Sequence, residues 1–296
     1  MTRERSGLVN GLIGVIIFSG SLPATRLAVA DFDPLFLTAA RAAIAGLLAL
    51  GLLMIFRQKR PARGDLVSLY LIAGGVVVGF PLLTALALRT ITSAHSIVYI
   101  GLLPLATAAF GVMRGGDRPR PAFWIFSTLG SLCVASFALL QSDVRLAAGD
   151  ALMVAAVLVC GLGYAEGAQL SRRLGGWQVI SWALVLSLPV MLGAALVLLR
   201  WQTHAIGGPA LFGLAYVSVF SMLIGFVFWY HGLVMGGVAA VGQLQLLQPF
   251  FGLALAGLLL GEPVSPAMLV ATAGVIACVA GARRFSPLPG NAIGKS

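Results

Sequence analysis

A small set of polar side chains interrupts the long apolar runs of this sequence. In one run His95 and Tyr99 lie one helical turn apart, and in another Gln243, Gln245 and Gln248 follow one another closely. These side chains can donate and accept hydrogen bonds without carrying a permanent charge. They are candidates for binding a small uncharged or zwitterionic molecule. The alternative is that they bond neighbouring helices, as polar residues in bundles often do.

Pro81, Pro104 and Pro249 each lie within a long apolar run. Proline has no N–H, so the carbonyl group four residues earlier loses its usual helical partner and the helix bends or breaks. In an apolar environment such carbonyl groups are tolerated where they line a cavity or meet a neighbouring helix. We expect hinges at these prolines, with freed carbonyl oxygens that could bind an ammonium group. Ordinary structural kinks are the alternative.

Aromatic and hydroxyl side chains accompany these bending points. Phe80 and Thr84 flank Pro81, and a run in the second half of the chain contains Tyr216 and Ser221. An aromatic ring beside hydroxyl groups suits a molecule with one apolar and one polar end. We therefore count these four residues among the candidate substrate-binding residues.

Charged residues within the apolar runs are few, and two stand out, Arg41 and Glu166. Arg41 could extend its side chain to the nearer surface or pair with Asp31 or Asp33. Glu166 lies shortly before a pair of arginines at the end of its run. Both residues are candidates for an ion-coupling role, and a structural role is the alternative.

No group of residues resembles the active site of an enzyme. The three histidines are scattered among loops and run ends, and the sequence contains no His-Glu-x-x-His, Gly-x-Ser-x-Gly or phosphate-binding loop with lysine. Cys133, Cys160 and Cys278 show no metal-ligand spacing and are expected to pack as free thiols. The sequence therefore predicts no cofactor, no metal site and no ATP-driven step.

Long apolar helices must position all of these side chains. Hydrophobic residues make up 59% of the 296 positions and charged residues 9%, and the mean hydropathy is +1.01. A helix needs about 20 apolar residues to cross a bilayer. We predict an all-α polytopic membrane protein with ten transmembrane helices, near 8–28, 34–56, 66–88, 91–113, 121–141, 147–170, 177–199, 209–231, 238–260 and 264–282.

The basic residues predict how these helices are oriented. Most of the 19 Lys and Arg residues fall in connections on the side of the N-terminus. By the positive-inside rule both termini are cytoplasmic, in a bacterial inner membrane. The net charge of +10 then reflects topology and contact with anionic lipid, and no basic domain for nucleic acid is present. The aromatic cluster at 229–231 is expected at the cytoplasmic interface, where Trp and Tyr are enriched.

The two halves of the chain repeat a set of landmarks at a constant offset of 145 residues. The matching landmarks are Leu102-Leu103-Pro104 and Leu247-Gln248-Pro249, Gly116-Asp117 and Gly261-Glu262, and Pro121 and Pro266. We therefore divide the chain into units 1–145 and 146–296, with five predicted helices each. Because five is odd, the units enter the membrane in opposite senses, which is the inverted repeat of secondary transporters.

These landmarks resemble the signature of the drug/metabolite transporter superfamily, EamA-type branch. The run 247–249 followed by Gly261-Glu262-Pro263 is similar to its pattern of a mid-helix proline and a terminal Gly-Glu, and Asp33-Pro34 with Arg41 also resembles the branch. Asp117 stands where a Glu is usual, so the first half departs from the pattern. The resemblance implies two five-helix units, with the third, fourth, eighth and ninth helices around the substrate.

The resemblance also implies a function. Members of the superfamily are mostly exporters of metabolites, and this chain is most similar to bacterial exporters of aromatic and other neutral amino acids. We expect a secondary transporter that works by alternating access on a small-molecule substrate, and the sequence is compatible with a monomer. Export of another metabolite or drug and a channel-like facilitator are the alternatives.

Overall fold

The chain is helical wherever its structure is described. The computed structural model describes residues 3–91, 96, 99–115, 119–140, 148–200, 205–260 and 266–286, and these ranges contain no β-strand. Their α-helices are α1 (Arg3–Ser19), α2 (Ser21–Ala28), α3 (Pro34–Ile55), α4 (Leu66–Ile72), α5 (Phe80–Ala87), α6 (Leu103–Gly115), α7 (Pro121–Leu140), α8 (Ala148–Leu174), α9 (Gly176–Leu199), α10 (Gly208–Tyr216), α11 (Gly225–Gly236), α12 (Val238–Gly242), α13 (Gln248–Leu260) and α14 (Pro266–Arg284). The predicted all-α class is confirmed for this part of the chain.

Several helical runs are long and apolar enough to cross a membrane. Within the described residues these are Arg3–Ala28, Pro34–Ile55, Arg63–Ala87, Ala148–Leu174, Gly176–Leu199 and Gly208–Gly236. The other four predicted spans coincide with α6, α7, α12 with α13, and α14, which are shorter, broken or only partly described, so the count of ten remains a prediction. Large apolar side chains such as Ile55, Val190 and Val197 are 73%, 67% and 61% exposed. An outer surface of this kind suits lipid.

Local sequence signals set several helix ends. The Oδ1 atom of Asp33 accepts from the Leu35 backbone N–H at 2.9 Å and caps α3. Pro34 occupies the first turn of that helix, where its missing N–H costs nothing. Gly175 and Gly237 have positive φ angles of 93° and 86°. Glycine adopts this conformation without strain, so each residue makes a tight connection, from α8 to α9 and from α11 to α12.

Two of the membrane-crossing runs contain a π-helical segment in the middle. Ala73–Gly79 separates α4 from α5, and Val217–Ile224 separates α10 from α11. Pro81 follows the first segment closely, whereas the second segment contains no proline. Segments of π-helix are rare, and they occur frequently at functional sites.

Pro104 and Pro249 also follow non-α backbone, whereas Pro189 lies inside the continuous helix α9. The 3-10 segment Gln243–Leu247 precedes Pro249 at the start of α13. Before Pro104 and α6, the Leu102 backbone N–H bonds the Tyr99 carbonyl oxygen at 2.9 Å, three residues back. Proline is tolerated at the first positions of a helix because the N–H there has no intrahelical partner. The α-helix is thus interrupted at Pro81, Pro104 and Pro249, while their role as hinges remains a prediction.

Helices from the first half of the chain pack mainly on helices from the second half. α1 packs on α11, α3 on α9, α5 and the 73–79 segment on α8, α6 on α8 and α12, and α7 on α14. Glycines allow close approach in these pairs. A Cβ atom on Gly232 would lie 2.6 Å from the Gly11 backbone nitrogen, and one on Gly75 would overlap the Val159 carbonyl oxygen. Small residues at helix contacts are common in membrane proteins.

Candidate substrate cavity

A cavity with a mixed lining lies between the two halves of the chain. Its empty volume, with its opening included, is about 570 Å³. Its lining comes from α1, α2, α3, α5, α6, α8, α11, α13 and both π-helical segments. Thr25 and Thr84 are each one turn from the ends of α2 and α5, and Arg41 is two turns into α3. The cavity is therefore nearer to the end of the bundle where α2 and α5 finish.

Arg41 brings a buried positive charge to this cavity. It is 6% exposed, and its Nη2 donates to the Val217 carbonyl oxygen at 3.3 Å and to Ser221 Oγ at 3.4 Å. The hydroxyl oxygens of Ser221 and Ser21 are 2.7 Å apart. A polar strip therefore runs from α3 through the 217–224 segment to α2.

Arg41 adopts neither of the arrangements expected from the sequence. It does not reach the surface, and no ion pair joins it to a carboxylate in the described ranges. Asp31 Oδ2 accepts from the Gly207 backbone N–H at 2.8 Å, and Asp33 Oδ2 lies 3.9 Å from Arg89 Nη1. The reason is that α3 packs against the 217–224 segment, which draws the Arg41 side chain inward.

Two further polar groups belong to the lining. Gln248 Nε2 donates to the Phe18 carbonyl oxygen at 3.4 Å. Its amide oxygen receives no hydrogen bond from a described residue and is available as an acceptor. Thr84 is 3% exposed, and its enclosed hydroxyl has no partner within the described ranges. Because enclosed polar atoms usually have a partner, Thr84 is a group that a bound molecule could satisfy.

Aromatic rings close the cavity toward the opposite end of the bundle. Phe18, Tyr164 and Phe226 belong to the lining. Trp229 follows Phe226 by about one turn of α11, and its ring centroid is 5.3 Å from that of Tyr164 and 6.2 Å from that of Phe18. We call these four residues the aromatic floor.

The aromatic cluster at 229–231 was expected at a membrane interface, and this is wrong for two of its residues. Trp229 and Tyr230 are fully buried, and only the third residue, His231, is exposed. The Tyr230 hydroxyl donates to the Gly163 carbonyl oxygen at 3.1 Å. Glycines allow close packing around both residues: a Cβ atom on Gly14 would lie 3.2 Å from the Trp229 backbone nitrogen, and one on Gly167 would overlap the Tyr230 ring.

The cavity brings together part of the residue set predicted from the sequence. Its lining includes Arg41, Phe80, Pro81, Thr84, Ser221 and Gln248. The described candidates outside the lining are Tyr99, Pro104, Glu166, Tyr216, Gln245 and Pro249. His95 lies outside the described residues, as do the landmarks Gly116-Asp117 and Gly261-Glu262.

The polar candidates outside the lining have other surroundings. The Tyr99 side chain hydrogen-bonds that of Asp150. The Tyr216 hydroxyl donates to the Ile17 carbonyl oxygen at 2.8 Å. Gln245 is fully buried, and neither its amide oxygen nor its amide nitrogen has a partner within the described part of the chain. These three residues are therefore not part of the site that we propose.

The lining also contains residues that the sequence analysis did not select. Ser21 and Thr25 come from α2, and Tyr164 comes from α8. Ser21 and Thr25 are one helical turn apart, which is the same spacing that drew attention to His95 and Tyr99. This spacing could have identified both residues within the predicted span 8–28.

Ion pairs join the helix ends at the end of the bundle beyond the aromatic floor. Glu166 Oε1 accepts from Ser68 Oγ at 2.6 Å, and its Oε2 accepts from Arg114 Nε at 2.8 Å. The other ion pairs there are Asp65 with Arg173 at 2.6 Å and Glu4 with Arg283 at 3.6 Å. We call these three pairs the ionic cluster. Glu166 thus connects α4, α6 and α8.

Comparison with known proteins decides the family. A model of the EamA-like transporter family matches residues 5–139 and 147–283. The chain belongs to this family. It is similar to the uncharacterized transporter YdeK of Bacillus subtilis (strain 168), with 68% identity over 286 residues, or 97% of this chain and 100% of that protein. A protein of known crystal structure shares the fold, with a TM-score of 0.77 and 19% identity over 95% of this chain and 99% of its own.

Membership of the EamA-like family makes the chain a multi-pass membrane transporter of small molecules and not an enzyme. The resemblance read from the sequence is confirmed at the level of the family. The finer resemblance to amino acid exporters remains a prediction.

Proposed function

We propose that this EamA-like transporter exports neutral amino acids, aromatic ones included, by alternating access and without ATP. One observation carries the proposal: the cavity joins an aromatic floor to enclosed hydrogen-bonding groups. A zwitterion with an apolar side chain presents two matching surfaces. Sites for such molecules are mostly apolar, with a few well-placed polar groups that fix orientation.

The lining suggests a role for each part of the substrate. Phe18, Tyr164 and Phe226 would receive the apolar side chain, since aromatic rings pack well against other rings and aliphatic groups. The free amide oxygen of Gln248 would accept from the ammonium group, and the unpartnered hydroxyl of Thr84 would bond a second polar atom.

We further propose that units 1–145 and 146–296 form the ten-helix inverted repeat. The two π-helical segments support it, because they begin 144 and end 145 residues apart. The two stretches matched by the family model also fall on successive halves of the chain.

The packing pairs support the same relation. In the proposed repeat, the run Arg3–Ala28 corresponds to α8, and Arg63–Ala87 corresponds to Gly208–Gly236. A twofold axis between the units should therefore map the contact of α1 with α11 onto that of α8 with α5 and the 73–79 segment. It should map the contacts of α3 with α9 and of α7 with α14 onto themselves. All of these contacts are present.

The charge distribution supports a cytoplasmic position for the ionic cluster. Its arginines come from the connections that are rich in basic residues, and both ends of the described chain contribute to it through Glu4 and Arg283. Positive residues favour the cytoplasmic side. In this orientation the aromatic floor and the ionic cluster separate the cavity from the cytoplasm, and export requires both to open.

Substrate counterflow in proteoliposomes tests this function. Vesicles preloaded with unlabelled phenylalanine, methionine or threonine should accumulate the labelled amino acid transiently, without ATP. A channel-like facilitator would equilibrate the label without this overshoot. If none of the three amino acids exchanges and another metabolite or a cationic drug does, the proposed substrate class is wrong.

A further inference from the structure

Arg41 is a charged side chain of the cavity lining, and its hydrogen bonding is incomplete. Both of its hydrogen bonds come from one nitrogen, Nη2, and both are long, at 3.3 and 3.4 Å. Among the described residues, its enclosed Nε has no partner and its Nη1 has no hydrogen bond. Ser221, one of the two acceptors, is already bonded to Ser21.

The arginines of the ionic cluster provide a contrast within the same molecule. Arg173 and Arg114 lie 2.6 and 2.8 Å from carboxylate oxygens, although their side chains are 67% and 45% exposed. Arg41 is only 6% exposed and has no carboxylate within ion-pair distance in the described part of the chain. A buried charge is unfavourable unless it is paired and hydrogen-bonded. If Arg41 had only a structural role, we would therefore expect its donors to have hydrogen-bond partners.

The surroundings of Arg41 indicate what kind of partner is missing. A guanidinium presents a planar set of donors that matches a carboxylate, and such bonds are among the strongest in proteins. The lining around it is otherwise uncharged: apolar side chains, aromatic rings, hydroxyl groups and one amide. A single carboxylate would neutralise this charge, whereas a cation would be repelled.

We propose that Arg41 binds the carboxylate of the substrate, so that a carboxylate group joined to an apolar remainder is required for transport. Ser221 holds the guanidinium in place, and Gln248 binds the ammonium group when one is present. This inference rests on the proposed function in one respect, that the substrate passes through this cavity. It adds the chemical group that every substrate must have and the residue that recognises it.

Competition with substrate analogues tests the inference in the unaltered protein. Phenylalaninamide and phenylethylamine keep the ring and the amino group but lack the carboxylate. We expect both to inhibit phenylalanine counterflow only at concentrations about tenfold to a hundredfold above those of unlabelled phenylalanine, which is the expected effect of a lost charged hydrogen bond. Inhibition by either compound at the concentrations of phenylalanine overturns the inference and leaves the proposed function standing.

Substitutions assign the effect to Arg41. Arg41→Gln should weaken the apparent affinity for phenylalanine by about tenfold to a hundredfold. Arg41→Lys should recover part of this affinity, because lysine keeps the positive charge but lacks the planar set of guanidinium donors. Arg89→Gln is the matched control, since Arg89 is an exposed arginine at the same end of the bundle. An unchanged affinity in well-folded Arg41→Gln protein overturns the inference. If that variant does not fold, the analogue competition decides.

A binding assay separates this inference from the amino acid proposal. If the parent exchanges no amino acid, purified protein is heated with 3-phenylpropionate or hexanoate and with the amide of each acid. A rise in melting temperature with the acids alone, absent in Arg41→Gln, supports carboxylate recognition although the proposed substrate is wrong. An equal rise with the amides, or no rise with any compound, overturns it.

Discussion

At the scale of single residues, Gln245 and Gln248 differ in their surroundings although they are three positions apart. Gln248 belongs to the cavity lining, and Gln245 is fully buried without a partner among the residues that the structure describes. We expect Gln248→Leu to raise the apparent KM for counterflow about fivefold, because one hydrogen bond contributes about 1 kcal/mol. Gln245→Leu should leave KM unchanged and should not lower the melting temperature, since an apolar group replaces an unsatisfied amide. The reverse pattern would assign the site to Gln245.

Local sequence identifies such polar residues, but it does not determine what they face. Gln245 is one turn nearer to the end of the bundle that the aromatic floor closes, and the depth of that floor depends on rings from α1, α8 and α11. Arg41 similarly has Asp31 and Asp33 close in sequence, yet its partners are Val217 and Ser221, 176 and 180 residues away. Contacts of this range depend on helix packing, which a single sequence does not specify.

At the scale of helices, two adjacent glycines test the packing of the 73–79 segment. A Cβ atom on Gly75 would overlap the Val159 carbonyl oxygen in α8, whereas nothing lies within 4 Å of one on Gly74. Gly75→Val should destabilise the protein by about 1–3 kcal/mol, because overpacking forces the helices apart. Gly74→Val is the matched control in the same segment and should have little effect. Melting curves in detergent measure both, and equal losses would contradict this helix contact.

The positions of several helices could be predicted closely from the apolar runs. The predicted spans 34–56 and 177–199 correspond to Pro34–Ile55 and Gly176–Leu199, where continuous apolar residues lie between clear end signals. The interruptions were only partly predictable. Pro81, Pro104 and Pro249 mark three of them, but Val217–Ile224 contains no proline, and its π-helical backbone forms where it packs against α3.

Glu166 provides a second test at the scale of helices, since its ion pair with Arg114 joins α8 to α6. Glu166→Gln removes the charge and should make the end of the bundle with the ionic cluster open more readily. A partly exposed pair contributes about 1 kcal/mol, so we expect about fivefold faster maleimide labelling of the buried Cys160, with Cys133 and Cys278 replaced by Ser. Glu4→Gln is the control, because Glu4 and Arg283 are 3.6 Å apart and Glu4 is about half exposed. Unchanged labelling in Glu166→Gln would contradict a gating role.

At the scale of the whole molecule, the offset of 145 residues relates features that were not used to find it. The prolines and Gly-acid pairs defined the offset from the sequence, and the π-helical segments then follow it to within one residue. Cys133 and Cys278 are also 145 residues apart. Both lie where α7 packs on α14: a Cβ atom on Gly274 would be 3.9 Å from Cys133 Sγ, and one on Gly130 would be 3.3 Å from Cys278 Cβ. Two equivalent residues on a pair of helices that pack on each other should lie close to the axis that relates them.

The two native cysteines therefore provide a direct test of the twofold arrangement. A protease site inserted in the connection after Arg200 would separate Cys133 from Cys278 on cleavage. Treatment with a short, membrane-permeant bifunctional thiol reagent should keep the two fragments joined on a non-reducing gel. The link should persist in Cys160→Ser and disappear in Cys133→Ser, because Cys160 lies in α8, away from this contact. Fragments that separate in the treated parent, although both thiols react with a monofunctional maleimide, would place Cys133 and Cys278 too far apart for an axis between α7 and α14.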